Sequence, residues 1–201
     1  MYLSKVMLSG AACRNPYEIH RALWGLFPAD MDASRDFLFR VVQAERTQAE
    51  ILMQSLRRPE ESTREARLLA SKEYQLALQK DQRLRFYLVA NPAKKINDEG
   101  GRENTRGELK KCRVPLVHED DQRTWIGRKL EGIADLDTMI IEPRFPIRFK
   151  KTREDRAGKI QPVSFQGILV VKDALRLTDL VVNGIGPGKA FGCGLLSLAR
   201  A

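Results

Sequence analysis

The chain has 201 residues, 43% of them hydrophobic, enough for one large domain or two of about 100 residues, with a real core. No apolar run approaches the roughly 18 residues of a membrane span, and the opening MYLSKVMLSG lacks the charged stretch and apolar block of a signal peptide, so the expectation is a soluble cytoplasmic protein. Lys and Arg number 35 against 26 Asp and Glu, a net charge of +9, which points to a polyanionic partner, nucleic acid first, without choosing among RNA, DNA and a ribosomal surface.

In chain order, residues 2–9 alternate like a half-buried first strand. Asn15 offers an N-cap and Pro16 suits the first helical position, so a helix is expected from there to Phe27-Pro28. Asp36–Glu45 and Glu50–Leu56 predict two strands, residues 60–71 a short exposed helix, and Lys72–Gln79 a further strand. That order is the ferredoxin-like βαββαβ unit. A second unit opens with a strand over Arg83–Asn91, followed by a long Gly-, Asn- and charge-rich loop over 92–113. Acidic Glu119, Asp120 and Asp121 suit the start of a helix running to Leu130. Strands are expected around Ile140–Phe149 and Lys159–Val171, then a helix capped by Asp173 and a short strand over Leu195–Leu198. The expected fold is therefore α+β, two tandem ferredoxin-like (RRM-like) domains, 1–81 and 82–201, with a glycine-rich loop near the C-terminus. Such sheets also serve as an RNA-recognition scaffold, in keeping with the charge.

The glycine-rich loop is NGIGPGKAFGCG at 183–194, with five glycines in twelve residues. Glycine permits positive φ and close backbone approach, and free amides there, including those of Gly186 and Gly188 beside Lys189, could cradle phosphate. It is neither a P-loop, since Ala190 follows Lys189, nor a dinucleotide fingerprint, since a helix precedes it. A tight helix-to-strand connection explains the same composition.

Two loops are basic. Residues 144–159 carry seven Lys/Arg against two acids around an Asp-Arg-Ala-Gly turn, the pattern of a protruding hairpin able to enter a nucleic-acid groove; Arg148, Lys150, Lys151, Arg153, Arg156 and Lys159 are its candidate contacts. Residues 94–113 add Lys94, Lys95, Arg102, Arg106, Lys110, Lys111 and Arg113 against four acids. A solvated charge run explains either segment alone; two on one basic chain favour nucleic acid.

On the first helix, Ile19, Leu23, Leu26 and Phe27 form an apolar stripe, and Tyr17, His20 and Trp24 share its edge at i, i+3 and i+7. By spacing alone, His20 is either a structural helix-flank residue or a proton-transfer group. The second histidine, His118, sits ahead of the acidic helix start, where a surface role suffices. Cys13, Cys112 and Cys193 are odd in number and scattered, against a disulfide framework or a zinc site, and read as reduced thiols. No H-x-x-x-H and no obvious acidic set for a two-metal site is present, so any RNA cleavage is expected to need no metal: the ribose 2′-OH attacks the adjacent phosphorus while side chains move protons.

MYLSKV, NPYEIHRALWGLFP, DFLFRV, RFYLVANPAKK, KKCRVPL and above all GIGPGKAFGCGLLSL, in this order, resemble the CRISPR repeat-processing endoribonucleases of type I-E systems, the CasE family, over essentially the whole chain. The resemblance implies cleavage of precursor CRISPR RNA at the 3′ base of the repeat stem-loop, without metal or cofactor, leaving a 2′,3′-cyclic phosphate and a 5′-hydroxyl. It implies His20 as the catalytic proton-transfer residue, Tyr17 as its companion orienting the 2′-OH, and Lys189 or a basic-loop residue stabilising transition-state charge. It implies a groove-reading hairpin over Arg148–Lys159. The implied partners are the repeat stem-loop, precursor and mature, and other Cascade subunits, especially the backbone subunit next to the crRNA 3′ end. The competing readings are a non-catalytic RNA-binding subunit capping a ribonucleoprotein and a basic ribosome-associated protein.

Overall fold

The alternating N-terminus forms β1 (Tyr2–Ser9), and Asn15 opens α1 (Pro16–Trp24) by accepting the Tyr17 amide on Oδ1 at 3.1 Å, with Pro16 in the first turn. The structure, a computed structural model, describes all residues except 11–12, 14, 29–34, 61, 98–99, 102, 104–105, 110 and 151–156 and the side chains of Lys150 and Ala157. β2 (Phe37–Ala44), β3 (Gln48–Ser55) and β4 (Ala66–Glu73) complete an antiparallel sheet in the order β2-β3-β1-β4. Ile19, Ala22 and Leu23 of α1 pack onto Val6, Leu8, Phe37, Phe39, Ile51 and Met53; burying a side chain such as Leu23 contributes about 1.5–3 kcal/mol.

This first sheet has the ferredoxin-like strand order, but its second helix is absent among the described residues. The helix expected over 60–71 and the strand expected over 72–79 are corrected: residues 66–73 pair with β1, Ala66 opposite Leu8 and Tyr2 opposite Glu73, and the stretch after Glu73 is irregular. The Glu, Arg, Ala and Leu of this stretch favour helix locally, but a full-length ladder on the free edge of β1 outweighs that preference. As an edge strand, β4 buries only Ala66 fully, which is why its alternation was invisible.

The second half carries the complete βαββαβ unit: β5 (Arg83–Ala90), α2 (Glu119–Leu130), β8 (Ala134–Pro143), β11 (Val163–Val171), α3 (Ala174–Asn183) and β12 (Leu196–Arg200), with sheet order β12-β5-β11-β8. Asp173 caps α3, its Oδ1 accepting from the Arg176 amide at 3.0 Å. Trp125, Ile126, Leu130, Leu177 and Val181 cover this sheet around Leu88, Phe165 and Leu169. Two hairpins are inserted. One is β6 (Ala93–Asn97) with β7 (Lys111–Pro115), inside the stretch expected as loop; the other is β9 (Ile147–Lys150) with β10 (Ala157–Ile160), which splits each of the two long strands expected over 140–171. The prolines at 143, 146 and 162 bracket those splits, since proline cannot donate to a ladder.

The registers place these insertions together. Val163 faces both Ala90 and Pro143, so β5 and β8 finish at the same end of the second sheet and each hairpin leaves from there. β12 runs antiparallel to β5 from Leu196 opposite Leu88, so the glycine-rich connection arrives at that end too. No helix among the described residues is long and apolar enough to cross a membrane.

Candidate functional site

Helix α1 of the first half packs against two elements of the second: the 3₁₀ turn Lys189–Phe191 within the glycine-rich loop, and β9 of the basic hairpin. The two halves are also joined beneath. Gln54 Nε2 donates to the Val181 carbonyl at 2.8 Å, and Arg40 lies over the Tyr87 ring at 4.6 Å while donating to Ser197 Oγ at 3.0 Å. His20, Lys189 and the β9–β10 hairpin, far apart in sequence, are thereby assembled on one surface.

His20 is half-buried on α1. Its imidazole stacks on Phe37 (centroids 5.3 Å apart, planes at 29°) and meets the edge of Trp24 at 6.3 Å. Its Nε2 is buried with no hydrogen-bond partner among the described residues. An unsatisfied buried polar atom costs about 1–3 kcal/mol, so its retention calls for a use. Burial, with a smaller contribution from the Arg35 guanidinium, pushes the His20 pKa below the usual imidazole range and favours the neutral ring. Tyr17, one turn earlier, is 40% exposed, and its ring is open to a ligand. His118 is exposed at the N-cap of α2 with no side-chain cap bond, away from this constellation.

The glycines of the loop take positive φ at 184, 186, 188, 192 and 194. At Gly184 the need is steric as well: a Cβ would lie 2.7 Å from Leu38 Cδ1 and 2.9 Å from the Gly194 carbonyl. The amides of Gly184, Ile185, Phe191, Gly192, Cys193 and Gly194 all donate to protein carbonyls, so a phosphate could draw only on the half-exposed rim around Gly186, Gly188 and Lys189. Lys189 Nζ binds the Asn183 carbonyl at 2.5 Å, at the C-terminal end of α3 where a cation is favoured. Burial, then Arg35 and Lys129, lowers its pKa. Cys193, fully buried under the loop, has its thiol pushed up to about 12 by burial, and all three cysteines are free.

The hairpins share a design. In β9–β10, Phe149 stacks on Phe191 at 4.2 Å and, with Ile147 and Ile160, packs toward Val89 and Cys193. Gly158 leaves room for the Phe149 ring, which a Cβ at that position would overlap. The alternate positions point outward, with Arg148 directly opposite Lys159, both exposed. In β6–β7, exposed Lys95 faces exposed Arg113, with exposed Lys111 two residues along. Like charges directly opposite destabilise a ladder, so both faces are costly without an anion. Lys94 is exposed on the other face of β6, and Arg106 is exposed in the connection. Arg102, Lys110, Lys151, Arg153, Arg156 and the Lys150 side chain lie outside the described residues.

Sequence reasoning missed Arg35 and Lys129, whose charges reach the His20–Lys189 neighbourhood only through the fold, and Arg40, which reads as an ordinary strand residue. It also missed Phe145, 95% exposed between Pro143 and Pro146, although an aromatic in that proline frame beside Arg144 was a visible signal. A cleft of about 870 Å³ between the halves is lined by Phe39, Val42, Arg40, Arg144, Phe145 and Phe191 among others; it borders Ile19 of α1 and is not lined by His20.

The sequence profile of a family described as "CRISPR associated protein" matches residues 1–200. The CRISPR system Cascade subunit CasE of Escherichia coli (strain K12) is 43% identical over 200 residues, covering 99% of each chain. This chain belongs to the CasE family. The crystal structure of the CRISPR-associated protein Cas6e from E. coli K-12 matches it with a TM-score of 0.85 at 41% identity, and that of CRISPR endoribonuclease Cse3 bound to a 19 nt RNA with a TM-score of 0.79 at 31% identity, each covering 100% of both chains. The tandem ferredoxin-like architecture is common to these proteins.

Proposed function

We propose that this chain is a cytoplasmic, metal-independent endoribonuclease that cleaves precursor CRISPR RNA at the 3′ base of the repeat stem-loop and stays on the mature crRNA within Cascade, beside the backbone subunit at the RNA's 3′ end. The observation that carries this reading is a histidine whose buried Nε2 has no partner among the described residues, on the helix where the glycine-rich loop and a basic hairpin meet. Relatives named as a Cascade subunit and as an RNA-bound endoribonuclease support it.

In the proposed chemistry the 2′-OH loses its proton, O2′ attacks the adjacent phosphorus, the P–O5′ bond breaks, and O5′ gains a proton, giving the cyclic phosphate and a 5′-hydroxyl. His20, neutral at rest, takes or returns a proton at this phosphate, and Tyr17 orients the 2′-OH. Lys189, with Gly186 and Gly188 at the loop rim, stabilises the added charge, and Arg35 supplies a further cation. Half 82–201 grips the stem through Arg148, Lys159 and the other cations of the same hairpin, with Lys94, Lys95, Arg106, Lys111 and Arg113 as a second contact; half 1–81 contributes the catalytic helix.

Incubation with end-labelled repeat stem-loop in EDTA tests this. Wild type should cut at the stem base and His20→Ala should bind without cutting. Intact RNA bound by wild type under all conditions would instead support a non-catalytic cap.

A further inference from the structure

We infer that Phe37 is a positioning residue for the reaction: its ring, stacked flat on the His20 imidazole and wedged by Trp24 and Phe27, fixes the orientation of the imidazole and shields Nε2 from water before RNA arrives. This rests on the reading of His20 as the proton-transfer group.

The geometry is a closed aromatic cluster rather than one chance contact. Phe37 stacks on His20 on one side (5.3 Å, 29°) and on Phe27 on the other (5.6 Å, 21°) and receives Trp24 edge-on at 5.5 Å, while Trp24 also meets the imidazole edge-on. Phe37 is 3% exposed and is the first residue of β2, so the sheet, not a mobile loop, sets its position. The outside of the cluster is clamped. Arg57 lies 4.9 Å over Phe27 and 5.8 Å over Trp24 and holds Asp36, the neighbour of Phe37, through Nε at 2.7 Å and Nη2 at 3.2 Å. The Leu56 amide donates to the Asp36 carbonyl, tying the same corner to the end of β3. A hydrophobic residue of any shape would fill the core here; four rings in alternating stacked and edge-on contact specify one imidazole orientation.

Charged and titratable groups on the packed elements are Tyr17, Glu18 and Arg21 on α1, Arg35 and Asp36 ahead of β2, Arg40 on β2, Glu50 on β3, Arg57 after it, Lys189 in the 3₁₀ turn, and Arg148 and Lys150 on β9, the Lys150 side chain lying outside the described residues. Glu18 pairs with Arg21 and Asp36 with Arg57, which leaves cations, chiefly Arg35, acting on the ring alongside desolvation. Both effects favour neutral imidazole, and removal of the Phe37 ring relieves only the desolvation.

With two histidines in the chain, the test is an NMR titration of the imidazole Hε1 protons of the free full-length protein, assigned with His118→Gln. In wild type, His20 Hε1 should be displaced upfield by the Phe37 ring current and titrate below the ordinary value of about 6.5. Phe37→Leu should abolish the upfield displacement and move the midpoint toward, not to, about 6.5, because Arg35 remains; Phe37→Tyr should restore both. Arg35→Gln should raise the midpoint without moving the ring-current shift. Single-turnover cleavage by Phe37→Leu should fall about 10- to 100-fold at unchanged stem-loop affinity, with its acidic limb shifted to higher pH. A wild-type His20 with ordinary shift and midpoint overturns the inference, even if Phe37→Leu fails to fold. A folded Phe37→Leu whose His20 titrates as in wild type overturns it equally. If His20→Ala cleaves normally, the reading beneath it falls and Phe37's part in catalysis with it, whatever the titration shows.

Discussion

The His20 corner and the basic hairpins are built on opposite principles. His20 places one polar atom inside a shell of aromatic rings, an ion pair and a sheet strand, so the proton transfer proposed for it depends on a single group and its surroundings. The hairpins are rows of exposed cations on short ladders, that of β9–β10 anchored by its inner face. Chemistry needs one group in one place at one protonation state; retention of a polyanion needs many weak contacts that tolerate replacement. The two regions should therefore fail differently.

The largest effect expected is at His20. His20→Ala should lower single-turnover cleavage by about 10²–10⁴-fold while leaving stem-loop affinity in place. Cleavage at the wild-type rate would dissolve the comparison. Next is the double charge reversal Arg148→Glu with Lys159→Glu. It should weaken stem-loop binding at about 0.1 M salt and flatten the dependence of log K on log salt by about 0.9 for each phosphate that is no longer neutralised, with cleavage recovering at saturating protein. A cleavage defect that saturation does not restore would place the hairpin in the chemical step.

Gly184→Ala comes third. Its φ of +73° and the 2.7 Å approach to Leu38 predict a loss of about 1–3 kcal/mol in denaturant unfolding, since a Cβ there would press on β2 and on the Gly194 carbonyl. The smallest effect is linkage at His20. Its folded pKa lies below its unfolded one, so the unfolded chain binds the proton first. The stability contribution is present above about pH 6.5 and is lost as pH falls through the folded pKa. His20→Gln should flatten that part of the stability–pH curve; an unchanged curve would mean that the corner is wetter than its geometry shows.

Much of the frame was legible in the sequence because it depends on local rules. Asn15-Pro16 and Asp173 marked helix starts, alternation marked β1 and β5, two stretches joined by a polar turn marked β2 and β3, and alternating basic flanks around an Asp-Arg-Ala-Gly turn marked the β9–β10 hairpin. β4 was not legible, because an edge strand that buries one residue leaves almost no pattern, and its composition favours helix. The β6–β7 hairpin was hidden likewise, its polar residues alternating on a ladder too short to show a core face.

The sequence by itself determined the family, the placing of Tyr17 and His20 on one helix, and a loop with five glycines free to take positive φ. Tertiary structure decided the rest: that both hairpins and the glycine loop meet at one end of the second sheet, that most of that loop's amides are already spent, that Phe37 and Arg35 come to stack on and charge the imidazole, and that the turn carrying Lys189 packs on α1. The physical reason is range. Caps, turns and periodicity act over a few residues and are written locally, whereas desolvation, ring stacking and the field of a distant cation exist only once the chain has closed around the group they act on.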